Sequence, residues 1–271
     1  MKPRSLLLLA AALASSCLPA SAGLLSILLP HHQIQVITNG DVHPAGRGLP
    51  AASPDAPIYY IAVSTGFRDY GAAVAGEKIP DSNAVMRAMT KTLANQGYKL
   101  ATNKNPPQVI IVYGWGTMNT ERWLIGANGY SPVLNQYQIL RFLGAGKLGL
   151  PTRGSPEIGD TPVGLSFANP GLKEFFDLGQ ESYYIISLTA FDINAAAAKK
   201  AVPLWSTKIG CPSIGFTLED VMPAMLSIAA PNIGKQTTRP VIVNADDRYK
   251  PTIEIGPARV IEEDVAAPDH R

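Results

Sequence analysis

Reactive side chains are few in this sequence, and each stands in a setting that limits what it can do. Gly210-Cys211-Pro212-Ser213-Ile214-Gly215 puts a thiol and a hydroxyl in a turn-like stretch. The serine misses the G-x-S-x-G spacing of a nucleophile elbow by one residue. Cys211 would need an imidazole beside it to act as a thiolate. The histidines are His31, His32 and His43 in a Pro/Gly-rich approach segment and His270 in the tail, places poor at holding catalytic geometry. An exported hydrolase or thiol enzyme with Cys211 or Ser213 as nucleophile is therefore the second reading, behind a structural cysteine. The adjacent histidines point opposite ways on an extended chain, and no cysteine or close carboxylate completes a tetrahedral metal set. Gly144-Ala145-Gly146-Lys147 has the look of a phosphate loop. Arg141, however, stands where the first glycine belongs, and Leu148 where Ser or Thr must hold magnesium. Asp192 at a turn, and Glu219 with Asp220 at a helix start, are accounted for by capping. Trp115, between Gly114 and Gly116, offers either a ligand shelf or a bend with its ring packed inward; the second is preferred, because nothing polar converges on it in sequence. The sequence predicts no catalytic residue, no cofactor and no metal site.

The elements that would have to position any site are clearer. Asp81 and Ser82 can cap a helix whose apolar stripe is Val85, Met86, Met89 and Leu93, with Gly97 as a left-handed stop. Tyr98–Ala101 is then a short strand. Val109-Ile110-Ile111-Val112-Tyr113 lacks polar alternation, as expected of a strand covered on both faces. Ile58–Val63 is a strand before them. Ser131-Pro132 starts a second helix through Val133, Tyr137, Leu140 and Leu143, ended by Gly144. Pro151–Pro170 is a long Gly/Pro segment. Tyr183–Phe191 alternates, Asp192–Ala201 is a turn, and Val202–Ile209 returns with Trp205, Thr207 and Ile209 on one face, a β-hairpin. Thr217 or Asp220 caps a last helix, and Val241–Val243 and Thr252–Ile255 are weaker strands. The fold class predicted is α/β (α+β-like): a mixed, mainly antiparallel sheet with helices packed on one side.

Among the 271 residues, 46% are hydrophobic and 16% charged, low against a typical quarter charged. Lys2 and Arg4 precede an apolar run, Leu6–Ala14, too short to span a bilayer comfortably. Three outcomes follow: cleavage after Ala20-Ser21-Ala22, lipidation of Cys17 in the lipobox-like Ala14-Ser15-Ser16-Cys17, or an uncut anchor extended by Leu24–Leu29. All three export the chain. Removing Lys2 and Arg4 takes 23 basic residues to 21, equal to the 21 acids, so no long-range field draws in nucleic acid. A membrane is met only through a lipid or an N-terminal anchor. With Cys17 lost, lipidated or embedded, Cys211 has no disulfide partner. The organisation read from this is a signal peptide at 1–22 and an extended linker at 23–57, with at most an edge strand at Ile34–Ile37. One α/β domain follows at 58–260, with an insertion at 117–180, and then a disordered tail at 261–271.

Leu93-Ala94-Asn95-Gln96-Gly97-Tyr98 followed by Pro106-Pro107-Gln108 and Val109–Tyr113 resembles the core of the DUF4136-type bacterial envelope lipoproteins. Ile185–Asp192 with Pro203-Leu204-Trp205-Ser206 resembles that family's hairpin, and a helix at Thr217–Ala230 fits it. The resemblance covers about half the chain in two blocks. The insertion at 117–180 and the segment after Pro231 have no counterpart in it. It implies an exported α/β domain in the periplasm or at the outer membrane, and supplies no catalytic residues. The function expected is a non-catalytic binding or assembly module whose partner is an envelope protein or cell-wall component.

Overall fold

The computed structural model of the chain describes residues 33–71, 78–119, 136–150 and 175–246. Its strands are β1 (Gln33–Val42), β2 (Ile58–Tyr70), β3 (Tyr98–Leu100), β4 (Val109–Met118), β5 (Tyr183–Asp192), β6 (Pro203–Pro212) and β7 (Val241–Asp246). They form one seven-stranded sheet in the order β3-β2-β4-β5-β6-β1-β7. β2 runs parallel to β3 and β4, and the other neighbouring pairs are antiparallel. The mixed, mainly antiparallel sheet that the sequence predicts is thus the one found.

Helix α1 (Ser82–Asn95) starts where Asp81 accepts a hydrogen bond from the Ala84 N–H at 2.9 Å, relieving one free donor of the first turn. It ends at Gly97, which adopts φ +88°. Val85, Met89 and Leu93 are buried as the spacing predicts, with Ala88 and Thr92, but Met86 is 44% exposed. A stripe centred on Val85, Met89 and Thr92 leaves Met86 at its rim. Helix α4 (Leu218–Ala229) is capped by Thr217, whose hydroxyl accepts from the Asp220 N–H. Both helices pack on one face of the sheet, against Tyr60, Ile111, Tyr184, Leu188, Ile209 and their neighbours.

Two corrections follow. Helices do not all lie on one side: α2 (Gln136–Leu143) sets Ile139, Leu140 and Leu143 against Ile37, Met118, Tyr183 and Ile185 on the second face. Gly210 lets it come down, since a Cβ there would strike the Leu143 side chain. The residues at 33–42 are no linker or edge. β1 pairs with β6 on one side and β7 on the other, so the folded body already includes Gln33. The predicted hairpin is β5–β6, and its register sets Ala190 opposite Trp205 and Leu188 opposite Thr207. Its turn contains a short helix, α3 (Ile193–Ala197), capped by Asp192, which accepts from the Ala195 N–H at 2.7 Å. The leader with Cys17, the helix start at Ser131-Pro132, the strand at Thr252–Ile255 and the tail lie outside the described residues.

Candidate functional site: a cleft beside an uncovered sheet face

Chemistry at Cys211 requires a base and access, and the described residues supply neither. Cys211 is fully buried on the first face, and burial pushes its thiol up to about 12, the reverse of activation. Its Sγ lies 3.5 Å from the Pro212 carbonyl oxygen. Among the described residues the histidine is His43, whose backbone N–H donates to the Leu204 carbonyl and whose ring meets Ser206 at 3.2 Å. Leu204 is roughly 23 Å from Cys211 along the strand. Ser213 is buried at the other end of β6, its backbone N–H donating to the Ser182 carbonyl. No group of His, Cys, Asp and Glu among the described residues is arranged to hold a metal ion.

Lys147 has a structural task. Its ammonium meets Asp41 at 2.8 Å and donates to the Gly40 carbonyl at 2.6 Å and to Thr237 Oγ1 at 3.1 Å. It thereby ties the 3-10 turn after α2 to β1. Lys147→Met should lower stability by about 1–2 kcal/mol, read as an earlier urea midpoint with an unchanged slope. An unchanged midpoint would show that the clamp contributes nothing.

The glycines around Trp115 have a consequence that their spacing alone does not show. Opposite Gly114, β2 carries two residues where β4 carries one, a bulge between Ser64 and Phe67. Gly66 takes φ +76° there, and the Thr65 hydroxyl donates to the Tyr113 carbonyl at 3.2 Å. A Cβ on Gly114 would strike that hydroxyl. The Trp115 ring packs into the first-face core beside Tyr113, as the inward reading predicts, with its Nε1 lacking a hydrogen-bond partner. On the second face the bulge opens a cleft of about 160 Å³, lined by Thr65, Arg68, Tyr70, Gly114, Phe142 and Ser187 among others. That is well below the several hundred Å³ of ordinary small-molecule pockets. It is about the volume that accepts one benzene-sized group.

No family model matches the chain, and no curated protein matches it. Solved structures with partial likeness include a dodecamer of PelC from Paraburkholderia phytofirmans, at 10% identity and TM-score 0.32, over 74% of this chain and 99% of that one. Another is a PDZ domain protein from Parabacteroides distasonis, at 11% identity and TM-score 0.34, over 82% of this chain and 41% of that one.

The cleft continues onto a stretch of sheet that no described helix covers. Beyond Gly114 and Ser187, the second face presents Val63, Val112 and Thr189 in one row and Ile61, Ile110 and Phe191 in the next. Ile61 is 43% and Val63 41% exposed, and Ile110, Val112 and Phe191 are half-buried. A parallel pair such as β2–β4 is ordinarily covered on both faces. The apolar run at Val109–Tyr113 predicts such cover, yet among the described residues only the first face has it. Sequence reasoning missed this surface because an apolar run reads the same whether its cover comes from its own chain or from elsewhere.

Proposed function

We propose that this chain is an exported bacterial envelope protein, akin to the DUF4136-type family, that works by binding a partner rather than by catalysis. The observation that carries the binding role is the bare apolar face of β2 and β4, which continues into a cleft too small for a cofactor. Contiguous exposed apolar surface on a folded chain marks a contact site. Export rests on the leader pattern at Lys2–Ala22, and the partner class, an envelope protein or cell-wall component, follows from that compartment. No described helix is long and apolar enough to cross a membrane.

Cell fractionation with intact-mass measurement tests the export arm. A chain beginning at Gly23, or a lipidated one beginning at Cys17, is the expected product, and a full-length chain in the cytosol would refute it. A photo-crosslinking residue at Val63 should give a discrete adduct in the envelope fraction, while the same residue at Lys104 should not. Equal, diffuse labelling at both positions would remove the binding role.

A further inference from the structure

We infer that the bare face and its cleft receive an acidic amphipathic helix of a partner protein, anchored by one large apolar side chain in the cleft. This rests on the binding role proposed above and names its partner class. Three observations lead to it.

The first is the layer architecture. The lower half of this face is covered by α2, which packs on Gly210 and Ile185, and among the described residues none packs over the upper half beside it. A second helix would complete the layer, since sheet faces in such folds are buried by helices. An added strand fits less well. Beyond its short pairing with β3, the edge of β2 has no partner strand among the described residues and is interrupted by the bulge at Ser64–Phe67, a device that blunts edge pairing.

The second is charge. Lys99, Arg68 and Lys208 lie on this face by their register, and none has an acidic partner among the described residues. Lys208 sits over the Phe142 ring at 5.7 Å from its centroid. On this face of β1 to β6 the carboxylate is Asp41, already held by Lys147. The surroundings of the apolar rows are therefore cationic although the mature chain is balanced overall. That local excess favours a segment with acidic flanks and disfavours a basic one.

The third is the cleft. Its volume of about 160 Å³ suits a single Phe or Leu side chain. Gly114 supplies the floor, and the Arg68 guanidinium stands beside it with no ion pair among the described residues. An apolar anchor in a pocket rimmed by charge is how helix-in-groove contacts concentrate their affinity.

The test uses the purified mature protein and a labelled 18-residue helical peptide with Leu and Phe on one face and Glu on the other. A counterpart carries Lys for every Glu. Fluorescence anisotropy should show the acidic peptide binding about tenfold or more tighter than its basic counterpart, with affinity falling as salt rises. Ile61→Asp with Val63→Asp, at exposed positions, should weaken it about tenfold. Arg68→Glu with Lys99→Glu should weaken it to a similar degree and invert the peptide preference. Unchanged circular dichroism and urea midpoints would show that these variants still fold. Equal affinity for the two peptides, no binding by the folded wild type, or indifference to all four substitutions would overturn the inference. So would a concentration-dependent dimer abolished by the Ile61/Val63 variant, or binding to phosphatidylglycerol vesicles abolished by the Arg68/Lys99 variant. These outcomes would give the face to a second copy or to a membrane. A Val63 adduct that persists while the peptide fails to bind would leave the binding role standing and remove only the acidic helix.

Discussion

Gly97→Ala is expected to cost about 2–5 kcal/mol, a large share of a global stability of about 5–15 kcal/mol. Two effects combine. Gly97 holds φ +88° after the last turn of α1, a conformation that costs an L-residue with a side chain about 1–2 kcal/mol. A Cβ there would also overlap the N, C and O atoms of Ser53. These are main-chain atoms, so no rotamer change relieves the clash, and overpacking of this kind adds about 1–3 kcal/mol. The Ser53 turn has little freedom to retreat, because Ser53 and Ala56 exchange backbone hydrogen bonds at 3.2 and 3.1 Å. Gly97 cannot retreat either: its carbonyl accepts from the Ile58 N–H at 2.9 Å where β2 begins. Gly48→Ala is the control. Gly48 has φ +81° with open space around its Cα, so only the conformational part should appear, about 1–2 kcal/mol. Urea unfolding of the two variants separates the effects. A difference below about 1 kcal/mol would show that the Ser53 contact yields easily.

Gly97 also shows where the sequence is legible. Its role as a helix stop follows from a local pattern: the Asp81 cap, one turn after another of apolar residues, then glycine. The hairpin is readable for the same reason, since period-2 alternation in β5 and β6 is written in consecutive residues. What depends on distant chain is not readable. β1 looks like a linker because its surroundings from Pro30 to Pro57 are rich in Pro, Gly, Ala and His, yet Thr38 and Asn39 are buried between strands far away in sequence, with Asn39 opposite Lys208. The cleft requires three separate pieces: a bulge in β2, a glycine in β4 and Phe142 from α2. Gly114 and Gly116 hint at a close approach, but nothing near them names what approaches. For Gly116 it is the Arg68 backbone. Helices on both faces were likewise hidden, because the apolar stripe of α2 does not say which side of a sheet it covers. The buried Cys211, by contrast, was foreseeable from the absence of any base near it in sequence.

That cysteine, with two tyrosines, sets an upper pH limit on the fold. Burial pushes the Cys211 thiol from 9.0 to about 12, and the Tyr60 and Tyr98 phenols from 10.0 to about 12. All three must stay neutral in the folded state, while the unfolded chain releases their protons at the ordinary values. Above pH 9 the unfolded state therefore binds fewer protons than the native one, and stability falls as pH rises. Between about pH 9 and 10 only the thiol contributes, near 1.4 kcal/mol per pH unit. Between about pH 10 and 12 the three act together, near 4 kcal/mol per unit. Against a global stability of about 5–15 kcal/mol, cooperative unfolding is expected close to pH 11–12, with tyrosinate absorbance from these buried phenols appearing in the same transition. Tyr183, also pushed up mainly by burial, adds to the effect. Below pH 9 none of these groups changes stability, so the urea midpoint should be flat with respect to them. Cys211→Ala should delay the onset of the decline from about pH 9 to about pH 10, whatever it does to stability at neutral pH. An unchanged onset would mean that the thiol is not buried in the working fold, and so would reopen the chemistry that its burial forecloses.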